Sequence, residues 1–104
     1  MNALRPNGQG TYDEWGRTRL INAVIDENFP LVKELAARPD MLHMPDINGS
    51  TPVIIAAHIG NVLILHHLVG LGADLRVKDT FGFDPLLRAA MAGHFESVLY
   101  LLER

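Results

Sequence analysis

The sequence predicts an all-α solenoid, a row of stacked helix-turn-helix units joined by β-turn and hairpin-like loops. The first observation is a repeat. The stretch from Gly49 to Gly60 returns 33 positions later as Gly82 to Gly93, with Asp46/Asp79, Pro52/Pro85, Ala56/Ala89 and Ala57/Ala90 keeping the same offset. A fixed period of this size marks supersecondary units that bury their faces against one another. The second observation is helical spacing: Val62, Leu65, Leu68 and Val69 share one face, and Gly72 stands where that helix should end. The third is turn chemistry, since Asp46 can bond its own backbone and Gly49 is free to take positive φ.

Each unit follows from its residues. Thr51 before Pro52 opens an inner helix, because a threonine hydroxyl caps an orphan amide and proline at the first helical position gives up none that was paired. Ala56 and Ala57 carry little bulk, so a neighbouring helix can come close, and Gly60 is placed to close the helix in the left-handed conformation. Gly70, inside the second outer helix, costs about 1 kcal/mol relative to alanine, and close packing against a neighbour is the expected reason for it. In the third unit Asp84 takes the cap position before Pro85.

Subtracting the same offset reaches Asp13, Gly16, Thr18, Leu20, Ala23 and Leu35, a degenerate first unit. Its inner helix is expected from Thr18 to about Asp26. Glu27 stands where the later units have glycine, so the bend is expected to shift to Asn28, which tolerates the left-handed region better. An outer helix should begin near Phe29 and stop at Pro39. Leu42 and Leu75, one period apart, should tuck under their loops.

These motifs resemble the ankyrin-repeat family, whose unit has a turn, a T-P-L-H-x-A inner helix, then G-x-x-x-V-x-x-L-L and a closing G-A-D. The second unit carries Thr51-Pro52-Val53-Ile54-Ile55-Ala56-Ala57 and Gly72-Ala73-Asp74, and the third carries Asp84-Pro85-Leu86-Leu87-Arg88-Ala89-Ala90. The resemblance implies a single domain over residues 12–104, with repeats at about 13–45, 46–78 and 79–104, after a flexible leader at 1–11. The family's motif histidine is replaced by Ile21, Ile54 and Leu87, so the repeat junctions are expected to be held by apolar burial alone.

Composition narrows the function. A net charge of −3 with scattered basic residues argues against nucleic-acid binding, which draws most of its affinity from Lys and Arg on phosphates. Zero cysteines exclude disulfides and thiol chemistry. Residues 1–10 hold one charge and no apolar run, and nowhere do apolar residues reach the ~18 needed for a membrane helix. No secretory signal, membrane span or membrane partner is expected, and the expected setting is intracellular and cytoplasmic.

Catalysis lacks its parts. Ser50 and Ser97 are the only serines, and neither lies in a G-x-S-x-G elbow. His66 and His67 are adjacent, so they point to different sides of a helix, whereas metal pairs need a spacing of three or four. His43 reads as a loop residue and His94, after Gly93, as structural. The expectation is a non-enzyme with no catalytic or metal site and no cofactor.

What remains is surface. The resemblance implies a partner protein held across the turn tips and the free face of the inner helices. Carried onto this sequence, those positions are Tyr12, Trp15 and Arg17 in the first unit, Ile47, Asn48, His58 and Ile59 in the second, and Phe81, Phe83 and Met91 in the third; Glu14, Ile25, Asp26, Ser50, Thr80 and Ala92 flank them. The set is rich in the aromatic types that anchor interfaces. The opposing possibility is that the turn aromatics fold back on neighbouring turns. A second functional reading comes from Leu87, Val98, Leu99 and Leu102, some of which should face the place of a fourth repeat. Burial of that edge is expected, by a further repeat or by a second copy in a homodimer, and docking on another domain is the related alternative.

Overall fold

The computed structural model describes residues 13–104, and Tyr12 and the expected leader lie outside them. Seven helices occur among the described residues, and no strand. They are α1 (Arg19–Ile25), α2 (Phe29–Ala36), α3 (Pro39–Leu42), α4 (Pro52–Ile59), α5 (Val62–Gly70), α6 (Pro85–Met91) and α7 (Phe95–Leu102). Helices α1, α4 and α6 pack side by side as an inner layer, and α2, α5 and α7 form the outer layer behind them.

The core lies between the layers and repeats with the sequence. Ala23, Ala56 and Ala89, one period apart, are all buried, so the inner helices meet through methyl groups. Leu20 and Val53 continue this interior on the inner helices, with Val32, Leu65 and Leu68 facing them from the outer ones. Leu42 is buried as expected, and Leu75 is half-buried against the same cluster.

Loop geometry recurs in the same way. In each tip an aspartate Oδ1 accepts two amides further along: Trp15 and Arg17 for Asp13, Asn48 and Ser50 for Asp46, Phe81 and Phe83 for Asp79. A backbone bond from the glycine at the third following position closes each turn. Gly49 has φ of 75°, and a Cβ on it would stand 3.0 Å from the Thr80 amide nitrogen, so this glycine also allows the next tip to stack.

Four expectations are corrected. The repeat junctions are not held by burial alone. The Ile47 amide donates to the Trp15 carbonyl at 2.7 Å, and the Thr80 amide and hydroxyl both donate to the Asn48 carbonyl at 3.0 Å. Those carbonyls have no partner within their own turn, and stacking brings the next amide to them. On the outer side Asn61 Nδ2 donates to Glu27 Oε1, and His66 Nδ1 lies 3.1 Å from the Tyr100 hydroxyl.

Glu27 itself takes the left-handed conformation, at φ 55°, and the bend does not move to Asn28. The Glu27 and Asn28 amides reach back to the Val24 and Ala23 carbonyls, the pairing that Gly72 and Ala73 repeat after α5 and Gly93 and His94 repeat after α6. Asn28 is needed elsewhere, since its Oδ1 accepts from the Leu31 amide and caps α2. Pro39, expected only to end α2, starts the single-turn α3, where its fixed φ suits the first helical position. Gly70 has no close neighbour: a Cβ there would meet nothing within 4 Å.

The caps also differ from expectation. Thr18 Oγ1 accepts from the Ile21 amide at 3.0 Å and Asp84 Oδ1 from the Leu87 amide at 2.9 Å. Thr51 has the same extended backbone, yet its hydroxyl makes no cap bond and is buried without a partner. It lines a cavity of about 230 Å³ with Leu42, His43, Val53, Asp74 and Val77.

Two stability predictions follow from these contrasts. Thr18→Ala should lower stability by about 1 kcal/mol, whereas Thr51→Val should cost nothing, because it removes a hydroxyl that bonds to no protein atom. Equal losses in urea midpoints would contradict the difference. Glu27→Gly should change stability by less than about 1 kcal/mol, because relief of the left-handed penalty is offset by glycine's extra unfolded freedom and by loss of the bond from Asn61 Nδ2, whereas Gly70→Ala should raise it by up to about 1 kcal/mol. Thermal melts of the two variants and their combination check both.

Candidate functional site

The three tips and the exposed ends of the inner helices enclose an open groove of about 410 Å³. Five of the sequence-derived surface residues line it: Arg17, Asn48, His58, Ile59 and Phe81. Ile25 and Ser50, which flanked that set, line it too. Trp15, Ile47, Phe83 and Met91 stand outside its lining. Trp15 and Met91 are exposed, at 47% and 62%, and Ile47 reaches 64% at the second tip. Tyr12 is outside the described residues.

The third tip is the most firmly built wall. Asp79 Oδ2 accepts from Arg88 Nε at 2.8 Å and lies 2.7 Å from Arg88 Nη2, while its Oδ1 holds the Phe81 and Phe83 amides. The guanidinium then faces both rings, with Cζ 4.7 Å from the centre of Phe83 and 5.8 Å from that of Phe81. Burial alone would raise the Asp79 carboxyl, but the Phe83 amide, Arg88 and the Phe81 amide outweigh it and hold the carboxyl below its usual value. Phe81 remains 65% exposed on this frame, so it does not fold back onto its neighbours, whereas Phe83 is half-buried.

At the first tip the Arg17 guanidinium lies 4.8 Å from the centre of the Trp15 ring, and Trp15 is fixed in turn by its carbonyl bond to Ile47. Between the walls the inner helices present Ile25, Ile55, His58 and Ile59. Arg88, Asp46, Ile54 and Ile55 were not among the sequence-derived surface positions. Asp46 had been assigned to its turn and the other three to the body of an inner helix. For Arg88 a signal existed, because it occupies the place of Ile55 one period earlier and Asn22 two periods earlier and is nine residues after a turn aspartate.

The histidines do not converge. His67 packs edge-on against Phe29 in the preceding unit while His66 reaches Tyr100 in the following one. His94 packs against Gly60, where a Cβ would collide with its imidazole. Among the described residues no three His, Asp or Glu side chains cluster as metal ligands would, and no helix is long and apolar enough to cross a membrane.

Comparison with known proteins fixes the family. A profile described as ankyrin repeats in three copies matches residues 20–104. The chain belongs to the ankyrin-repeat family. Ankyrin repeats are in general protein-protein interaction modules and typically non-catalytic. The chain is 32% identical over 106 aligned positions to the ankyrin repeat and SAM domain-containing protein 6 of Rattus norvegicus, which covers 100% of this chain and 12% of that protein. It is 42% identical over 66 residues to alpha-latroinsectotoxin-Lt1a of Latrodectus tredecimguttatus, covering 58% of this chain and 5% of the toxin. With diacylglycerol kinase zeta of Rattus norvegicus it shares 35% identity over 94 residues, covering 88% of this chain and 10% of the kinase. The chain therefore spans only a small part of the relatives it matches.

The depressed Asp79 carboxyl makes a pH prediction. A group whose folded pKa lies below its unfolded value of 3.8 adds stability that is fully present above that value and lost as pH falls through the folded one. Asp79→Asn should thus cost about 2–3 kcal/mol at neutral pH, and the gap to the unaltered chain should narrow below about pH 4. Denaturant titrations at several pH values test the sign.

Proposed function

We propose that this ankyrin-repeat chain is a non-catalytic interaction module that holds a partner protein in the groove between its turn tips and inner helices, within the cytoplasm. The observation that supports the reading most is the aromatic frame of the third tip. An ion pair to the buried Asp79 and two amide bonds fix the backbone of this tip, on which the Phe81 ring stands two-thirds exposed at the rim of the groove. A large aromatic on a backbone that is already ordered adds little chain-ordering cost on binding, which is how interface anchors gain affinity. At the other end Trp15, stacked on Arg17, is exposed beside the groove rather than in its lining.

The uncovered face of α6 favours a second reading, self-association or docking on another domain. Leu87 and Ala90 are exposed, whereas Ile54 and Ala57, one period earlier and flanked on both sides by inner helices, are buried. Leu99 and Leu102 add 47% and 63% exposed apolar side chains on α7.

Trp15→Ala with Phe81→Ala should remove a partner captured from the source cell by the unaltered chain, while leaving sedimentation unchanged. Leu87→Glu should instead abolish any concentration-dependent association and leave that capture intact. A partner kept by the double variant contradicts the groove reading.

A further inference from the structure

Two guanidinium groups face the groove, and one of them has no ion-pair partner among the described residues. Arg88 is neutralised by the buried Asp79. Arg17 forms no ion pair among the described residues, and its Nε is buried without any acceptor. A guanidinium with no carboxylate beside it keeps its outer Nη donors for an external acceptor. Asp13 Oδ1 accepts the Trp15 and Arg17 amides and Asp46 Oδ1 those of Asn48 and Ser50, and neither carboxylate pairs with the Arg17 guanidinium.

The Trp15 ring covers one face of the Arg17 guanidinium. Stacking uses the face and leaves the in-plane N–H groups, whose fork matches a carboxylate. Beside it the groove carries apolar side chains, Ile25, Ile59 and Phe81, on three different units, among the polar Asp46, Asn48, Ser50 and His58. An occupant that satisfies both features must bring an anion to the first tip and an apolar group toward the other two.

We infer that the groove takes an extended segment of a partner protein in which an acidic side chain stands beside a bulky apolar one, the carboxylate accepting from Arg17 and the apolar group lying against Ile25, Ile59 and Phe81. The inference rests on the reading of this groove as the partner site. The acidic residue supplies to Arg17 a counter-charge of the kind that Asp79 supplies to Arg88. His58, also in the lining, faces the same segment from α4.

The test is selection of a random linear peptide library displayed on phage against the whole chain. The expected result is enrichment of Asp or Glu next to Leu, Ile, Phe or Trp. A synthetic peptide of the enriched sequence should bind with amide shifts centred on Arg17 and Ile59, and weaken with added salt. Arg17→Gln should weaken it at least about tenfold, Arg17→Lys less, and Ile59→Arg should abolish it. Replacing the peptide's carboxylate by an amide should give the Arg17→Gln loss on the unaltered chain, which keeps the test valid if that variant folds poorly. Enrichment of purely apolar peptides that ignore Arg17→Gln yet are lost on Ile59→Arg overturns the acidic partner and leaves the groove standing. Basic peptides lost on Asp46→Asn overturn it too. Binding that ignores both Arg17→Gln and Ile59→Arg, or no enrichment at all, contradicts the groove itself.

Discussion

Close approach of the inner helices is the constraint on which the rest of this structure depends. Ala23, Ala56 and Ala89 occupy one position in successive units, and each is buried. A larger side chain in this column would push the helices apart, and overpacking of that kind costs about 1–3 kcal/mol. The separation also fixes the tips. Only at this spacing can the Ile47 amide reach the Trp15 carbonyl, and the Thr80 amide that of Asn48. The groove is therefore a consequence of packing: small residues inside set the distance between the aromatic and cationic groups outside.

The repeated tip scaffold separates stability from recognition. Aspartate Oδ1 and the turn glycine hold the backbone in all three units, so most side chains between them, Thr80 excepted, are released from structural duty. Trp15, Asn48 and Phe81 stand at one position of that scaffold and are three different side chains on one frame. Function in such a chain is written on positions that the fold leaves free, which is the physical reason a common fold carries many partners.

How far the sequence could be read depended on the range of each interaction. The period, the inner and outer helices, the Asp-to-Gly turns, the Gly60 stop and the Thr18 and Asp84 caps are local, and residue type at fixed spacing sufficed for them. Contacts between units were not legible in this way. Trp15–Ile47 and Asn48–Thr80 bond through backbone atoms, which no residue identity advertises. The silent Thr51 hydroxyl differs from Thr18 only in how its surroundings turn it, although both backbones are extended. Glu27 keeps the left-handed bend against its own preference because its neighbour Asn28 is the better cap for α2. At the groove, the aromatic and apolar positions could be transferred from the family pattern. The pairing of Arg88, and the lack of an ion pair at Arg17 among the described residues, could not, since each depends on which carboxylates lie within reach.

The central claim is that the three units form one body, because each inner helix, seven or eight residues long, is too short to persist without its neighbours. Thermal unfolding of a fragment comprising residues 46–104 tests it most directly. Removing α1 to α3 uncovers the Ala56 and Val53 side of α4 and deletes the Trp15–Ile47 bond. The account predicts a broad, non-cooperative transition, since about three repeats are needed for a stable stack. A sharp, reversible melt close to the midpoint of the full chain would contradict it.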